Sequence, residues 1–189
     1  MAGDTKQRMV QAAARSLRER GLAATSFTDV IAASGAARGA IYHHFPRGKD
    51  ELAEQAVEWT GRRVRLELDG ITGDDPETVL RHFVDLIRPI VAAAAGGVSC
   101  AVAAVAVEAS PAQPALTAAA DGAFQSWIEV LAERLSQVGV ERSRAGVTAE
   151  LMITFLEGSL VLARASGSVA MFDRSAISLL QALAPQGLE

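Results

Sequence analysis

The chain has 189 residues and a formal net charge of −4, and half of its residues are hydrophobic. This composition can form a substantial core and excludes a disordered or collagen-like chain. Aromatic residues make up only 5%, and alanine, the strongest helix former, is abundant. An all-α fold is therefore favoured over a β fold. The single cysteine, Cys100, excludes a disulfide framework within the chain, argues against a cysteine-based zinc site and suits a reducing cytoplasm.

The charge is unevenly distributed along the chain. Residues 1–50 carry eight basic and four acidic side chains, whereas residues 51–189 carry ten basic and eighteen acidic ones. A polyanion would therefore be attracted to the first segment and repelled by the remainder. The overall negative charge also argues against a protein that coats DNA without sequence preference.

One uncharged stretch, residues 89–107, is long enough to reach across a bilayer. It consists mostly of Ala, Gly and Val, and the pair Gly96–Gly97 interrupts it. Two buried helices with a break between them are therefore favoured over a membrane span. The first six residues lack the apolar core of a secretory signal, so we expect a cytoplasmic protein without a membrane partner.

Hydrophobic periodicity and helix-stop residues predict about nine helices and no strand. Gly21, Gly35 and Gly139 are expected to end or separate helices, and Pro76 to begin one. Ser99 is a candidate cap for the sixth helix, and Pro185 is expected to end the last one. The predicted helices are Thr5–Arg20, Phe27–Ser34, Arg38–His44, Asp50–Leu68, Pro76–Ala95, one ending near Glu108, Leu116–Val138, Arg142–Ala165 and Phe172–Ala184.

The second and third predicted helices form a helix-turn-helix pattern. Ser26 and Asp29 resemble a capping box at the start of the first short helix, and Gly35 lies in the turn that follows. Such a motif places its second helix in the major groove of DNA. Ile41 and Phe45 share an apolar face and should pack inward.

The outer side of the predicted recognition helix carries side chains suited to DNA. Arg38 can contact a phosphate or a guanine edge, Gly39 permits close backbone approach, and Tyr42 offers a hydroxyl and a ring. Lys49 can bind the DNA backbone near a helix N-terminus. The predicted DNA-binding residues are Thr25, Ser26, Ala37, Arg38, Gly39, Tyr42, His43, His44 and Lys49.

The segment from Gly35 to Lys49, GAARGAIYHHFPRGK, resembles the DNA-binding domain of the TetR family of bacterial repressors, in particular its LmrA-type branch. The later stretches SCAVAAVAVEAS and FLEGSLVLARA are similar to that branch as well. Ala37 departs from the Ser or Thr cap of many family members, so one phosphate contact is expected to be lost. The resemblance implies a DNA-binding domain over residues 1–49 and a ligand-binding and dimerisation domain over residues 50–189.

The resemblance also implies a homodimer on double-stranded operator DNA that is released by a small effector. Apolar stripes in the second segment suit an apolar, amphiphilic or aromatic effector, although an ordinary core explains most of their residues. Ligand-binding candidates are Phe83, Ile87, Val91, Cys100, Phe124, Trp127, Leu131, Met152 and Phe155. One short recognition helix reads few base pairs, which favours a dimer. The predicted dimer interface comprises Leu151, Phe155, Gly158, Leu162, Ala165, Ile177 and Leu180.

Other functions have weaker support in the sequence. No nucleophile motif, metalloprotease motif or phosphate loop is present, so an enzyme is not expected. His43 and His44 point about 100° apart on a helix and cannot easily share one ion, and neither a metal nor a cofactor is predicted. Glu108, Glu157 and Arg164 are candidates to bind a polar group of an effector. The alternative left open is a helical binding or scaffold protein with a vestigial DNA head.

Overall fold

The computed structural model describes the backbone of residues 2–183 and the side chains of residues 4–183. Over this range the chain is all-α, with nine helices and no strand. The predicted end of the last helix at Ala184 and Pro185 lies outside the described residues. The helices are α1 (Ala2–Ala24), α2 (Phe27–Ser34), α3 (Arg38–His44), α4 (Lys49–Asp69), α5 (Pro76–Ala95), α6 (Ala101–Glu108), α7 (Pro114–Gln137), α8 (Arg142–Ser166) and α9 (Ala170–Leu183).

Most helix boundaries lie where capping and helix-stop residues predict them. Asp75 caps α5 by accepting from the Thr78 N–H at 2.9 Å, and the hydrogen bonds from Thr78 lower the pKa of this carboxyl. The expected cap of α6 is wrong by one residue. Cys100, not Ser99, occupies the cap position, where its Sγ accepts from the Ala103 N–H at 3.4 Å.

The first of two compact units comprises residues 1–63 and 100–124. Helix α1 packs against α2, α3 and α6, and α2 packs against α3. The core of this unit includes Met9, Leu17, Ile41, Phe45 and Leu52, each at most 1% exposed. The predicted functional boundary between residues 49 and 50 falls inside this unit and remains a prediction.

Gly21 interrupts α1 near its end. Its backbone has φ 81° and ψ 179°, a conformation that residues with a Cβ rarely adopt, and one further helical turn continues to Ala24. The predicted helix stop at Gly21 therefore appears as a sharp kink. The kink redirects the chain immediately before α2.

The second compact unit comprises residues 64–99 and 125–189. Helix α5 packs against α8 and α9, and α8 packs against α9. Side chains that are at most 1% exposed form its centre. They include Val79, Phe83, Ile87, Val91, Trp127, Leu131 and Met152.

Residues 89–107 do not form one continuous helix. Helix α5 ends at Ala95 and α6 begins at Ala101, as the Gly96–Gly97 pair predicts. Among the described residues, only α8 is long and apolar enough to cross a bilayer by length and composition. Met152, Leu156 and Leu160 are among the residues on its buried side, and exposed apolar residues such as Leu151 and Leu162 add to its hydropathy.

Candidate nucleic-acid interface

The helix-turn-helix is formed by α2, a short turn and α3. Ser26 caps α2, since its Oγ accepts from the Asp29 N–H at 3.2 Å and donates to Asp29 Oδ2 at 2.7 Å. Gly35 ends α2 with φ 66°, and its N–H donates to the Ile31 carbonyl. Two short helices are thus joined by a tight, glycine-dependent turn, as the sequence predicts.

Helix α3 has a buried side and an exposed side. Ile41 and Phe45 are both 0% exposed, which confirms that this pair packs inward. Arg38, Tyr42 and His43 lie on the exposed side. A short helix that is anchored by two large apolar residues can therefore present its other side chains to a partner.

Tyr42 is the large exposed aromatic side chain of this surface. It is 67% exposed, which is unusually high for an aromatic side chain. Its ring stands edge-on to that of Phe27 on α2, with the ring centroids 5.6 Å apart. The contact orients the ring and leaves most of it exposed, and its contact with DNA remains a prediction.

Thr25 and Ser26 lie in a network that connects the end of α1 to the start of α2. Thr25 is 2% exposed, and its hydroxyl bonds the Gly21 carbonyl at 2.7 Å and the Ser16 hydroxyl at 2.9 Å. Arg20 donates to Ser16 and forms an ion pair with Asp29 at 3.2 Å. The Thr25 hydroxyl thus supports the start of α2, and a contact of Thr25 with DNA remains a prediction.

The remaining predicted contacts occupy different settings. Ala37 occupies the cap position of α3 and makes no side-chain hydrogen bond, as its methyl group requires. Gly39 is exposed, and an added Cβ there would meet no atom within 4 Å. His44 is half-buried beside Phe45, with ring centroids 6.4 Å apart. Lys49 donates from Nζ to the Ala23 carbonyl at 3.1 Å.

The predicted effector residues fall into both compact units. Seven belong to the second unit, where Phe83, Val91 and Met152 are 0% exposed and Phe155 is half-buried. Cys100 and Phe124 belong to the first unit. These positions are equally those of an ordinary core, so the assignment of an effector site remains a prediction.

Two of the three charged candidates for effector binding, Arg164 and Glu108, have hydrogen-bond partners within the protein, and Oε1 of the third, Glu157, is buried. Arg164 donates to the Gly97 carbonyl at 2.9 Å, which ties the end of α8 to the turn after α5. Glu108 accepts from the Ala23 N–H at 2.7 Å, a contact between residues 85 positions apart. Sequence reasoning missed both contacts, because no local pattern reports pairs so distant in the chain.

Helices α8 and α9 carry an exposed apolar face. Leu151 is 46% exposed, Leu162 48% and Ile177 61%. Gly158 and Ala165 of α8 are also exposed, and Leu180 of α9 is half-buried. A shallow depression of about 180 Å³, lined by Phe155, Leu162, Met171 and Phe172 among others, opens on the same helices. The spacing of Leu151, Phe155, Gly158 and Leu162 places them on one side of α8, and the depression joins that side to Met171 and Phe172 of α9.

Two family matches together cover most of the chain. Residues 9–56 match the family described as bacterial regulatory proteins, tetR family. Residues 76–177 match the family described as transcriptional regulator LmrA/YxaF-like, C-terminal domain. An uncharacterised helix-turn-helix transcriptional regulator of Mycobacterium tuberculosis is 34% identical over 89% of this chain and 88% of its own. LmrA of Bacillus subtilis is 28% identical over 85% and 86%, respectively.

Solved structures give the same result for the fold. A TetR transcriptional regulator from Chloroflexus aurantiacus superposes with a TM-score of 0.79 at 26% identity, covering 98% of this chain and 96% of that one. A TetR regulator from Legionella pneumophila superposes with a TM-score of 0.80 at 22% identity, covering 94% and 96%. The helix order and the helix-turn-helix are thus common to this chain and to these regulators.

Proposed function

Because the chain belongs to the TetR family of DNA-binding transcriptional regulators, which are not enzymes, we propose that it is an effector-responsive repressor. In this proposal a homodimer binds a palindromic operator in the cytoplasm, and a small apolar or aromatic molecule releases it. The supporting observation is the exposed side of α3, where Arg38, Tyr42 and His43 lie at the surface while Ile41 of α3 and Phe45, directly after it, are buried.

The charge of the proposed interface agrees with this function. The first fifty residues carry the basic excess, whereas the rest of the chain is acidic. Phosphate contacts from basic side chains supply affinity, and side chains that reach base edges supply specificity. We assign phosphate contacts to Ser26 and Lys49. We assign base contacts to Arg38, Tyr42 and His43.

Effector response is proposed to act through α4, which has residues in both compact units. An effector among the apolar residues of the second unit would shift the end of α4, residues 64–69, and the continuous helix would move its start in the first unit. The two recognition helices would then lose their spacing of about 34 Å, one DNA turn. The effector can act in this way only if it binds the released state more tightly.

The test begins with selection of duplexes from a random-sequence library by the full-length protein. We expect enrichment of a palindrome whose half-site centres lie about 10 base pairs apart. A panel of apolar aromatic compounds is then screened for release of the selected duplex, with thermal shift as an independent measure of binding. Failure to enrich any sequence would favour the scaffold alternative. An enriched palindrome that no bound compound releases would contradict the effector response alone.

Dimerisation through α8 and α9 gives a second prediction. We expect the wild-type protein to sediment as a dimer at micromolar concentration and the double variant L162E/I177E to sediment as a monomer. Each carboxylate would have to be buried at the interface without a partner, which is strongly unfavourable. The measurement is sedimentation velocity.

The matched control is L66E, because Leu66 is 68% exposed and lies on α4, outside the proposed interface. This variant should remain a dimer. A wild-type monomer, or a dimer that tolerates L162E/I177E, would contradict the proposed interface. Circular dichroism of each variant shows whether its helices are retained.

A further inference from the structure

The last turn of α1 is held by two charged side chains from distant parts of the chain. Glu108, at the end of α6, accepts from the Ala23 N–H through Oε2 at 2.7 Å. Lys49, at the start of α4, donates from Nζ to the Ala23 carbonyl at 3.1 Å. The N–H and the carbonyl of one residue are therefore bonded by side chains of opposite charge.

The kink at Gly21 frees the Ala23 N–H for this contact, and the missing side chain of Gly21 leaves space for the carboxylate. The kink at Gly21 breaks the helical hydrogen-bond pattern, so the N–H groups that follow it resemble those at a helix N-terminus. A Cβ at Gly21 would lie only 2.2 Å from Glu108 Oε1. The carboxylate thus occupies space that any other residue at position 21 would fill.

A second bond connects the same segment to α4. Gln113, in the turn between α6 and α7, donates from Nε2 to Asp50 Oδ1 at 2.9 Å. Its Oε1 accepts from the N–H and the hydroxyl of Ser110, which fixes the orientation of the amide. Residues 108–113 therefore contact both the end of α1 and the start of α4.

We propose that Glu108 is a positioning residue for DNA binding. Its carboxylate fixes Ala23, and through Ala23 the segment that carries Thr25 and Ser26 into α2. The hydroxyl of Thr25 bonds the Gly21 carbonyl, and Phe27, the first residue of α2, orients the Tyr42 ring. Glu108 thereby sets the angle at which the recognition helix meets DNA without touching the DNA.

Electrostatics alone would predict the opposite effect of removing this group. A carboxylate near a polyanion weakens binding, so its loss should strengthen binding to any DNA sequence. A positioning role predicts weaker binding to the operator and no loss on unrelated DNA. The sign of the change therefore separates the two explanations.

The test compares E108A with E108Q in the full-length protein. Both variants lose the negative charge, but the glutamine retains a carbonyl oxygen that can accept from Ala23. By hydrogen exchange, we expect the Ala23 amide to exchange about tenfold faster in E108A and close to the wild-type rate in E108Q. Equal exchange in E108A and wild type would overturn the proposed contact.

DNA binding supplies the second measurement. The probes are a duplex that the wild type selects from a random library and an unrelated duplex of the same length. The ratio of the two affinities should fall about three- to tenfold in E108A and recover in E108Q. An unchanged ratio in E108A, or equal losses in E108A and E108Q, would overturn the positioning role.

Gln113→Ala keeps the proposal testable if E108A does not fold. It removes the bond to Asp50 from the same segment and leaves the Glu108 carboxylate in place. We expect a smaller loss of the affinity ratio in the same direction, with the thermal midpoint near that of the wild type. A ratio equal to the wild-type value in a folded Q113A would contradict positioning of the DNA-binding helices by the segment 108–113.

Discussion

Replacing Phe45 by alanine should destabilise the first compact unit by about 3–5 kcal/mol, the range for truncation of a buried phenylalanine. Phe45 is 0% exposed and follows the last residue of α3. The Lys6 Nζ lies 5.7 Å from the centroid of its ring, so truncation also removes a cation–π contact. The cavity would lie directly behind the recognition helix, and specific DNA binding should fall together with stability.

The two tryptophans allow this effect to be measured unit by unit. Trp59 lies in the first unit and Trp127 in the second. In a W127F background, Trp59 is the remaining tryptophan, and its fluorescence reports urea unfolding of the first unit. In a W59F background, Trp127 reports unfolding of the second unit. We expect F45A to lower the urea midpoint strongly in the W127F background and less in the W59F background. The reference in each case is the same background with Phe45 in place.

Phe45→Leu is the matched control, since a similar apolar volume should cost less than about 1.5 kcal/mol. It should retain most of the stability and most of the DNA binding. A Phe45→Ala variant within 1 kcal/mol of the wild type would contradict this role of Phe45. Equal midpoint shifts for both tryptophans would show that the two units unfold together.

The helices and the inward face of α3 could be predicted because their causes are local. Glycine, proline and capping residues mark most helix ends, and the four-residue spacing of Ile41 and Phe45 identifies a buried face. The cap of α6 at Cys100 shows the limit of this approach, because neighbouring Ser99 and Cys100 can both accept from a backbone N–H. Which of the two does so depends on the path of the preceding turn.

The supports of the candidate site could not be predicted in the same way. Thr25 looks like a surface residue in sequence, yet the kink at Gly21 brings its hydroxyl to the Gly21 carbonyl and to Ser16. Glu108 reaches Ala23 only because α6 packs against α1. Both roles follow from tertiary packing, which no local pattern in the chain reports.

Replacing Tyr42 by alanine should weaken binding to the selected duplex by about tenfold or more, because one good base contact contributes about 1–3 kcal/mol of discrimination. The Tyr42 ring is 67% exposed, so its removal leaves no cavity and should hardly change the unfolding midpoint. Tyr42→Phe separates the hydroxyl from the ring. It should lose affinity only to the extent that the hydroxyl binds DNA.

A salt series determines which kind of contact Tyr42 makes. Y42A removes no cationic side chain, so it should leave the slope of log affinity against log salt unchanged, whereas Arg38→Ala should reduce it by about one if Arg38 binds a phosphate. Leu66→Ala is the matched control for Y42A, because Leu66 is 68% exposed and lies on α4 in the second unit. Fluorescence anisotropy with the selected and the unrelated duplex gives all of these values. Equal losses on both duplexes in Y42A would mean that Tyr42 positions the head on the DNA backbone and does not read bases.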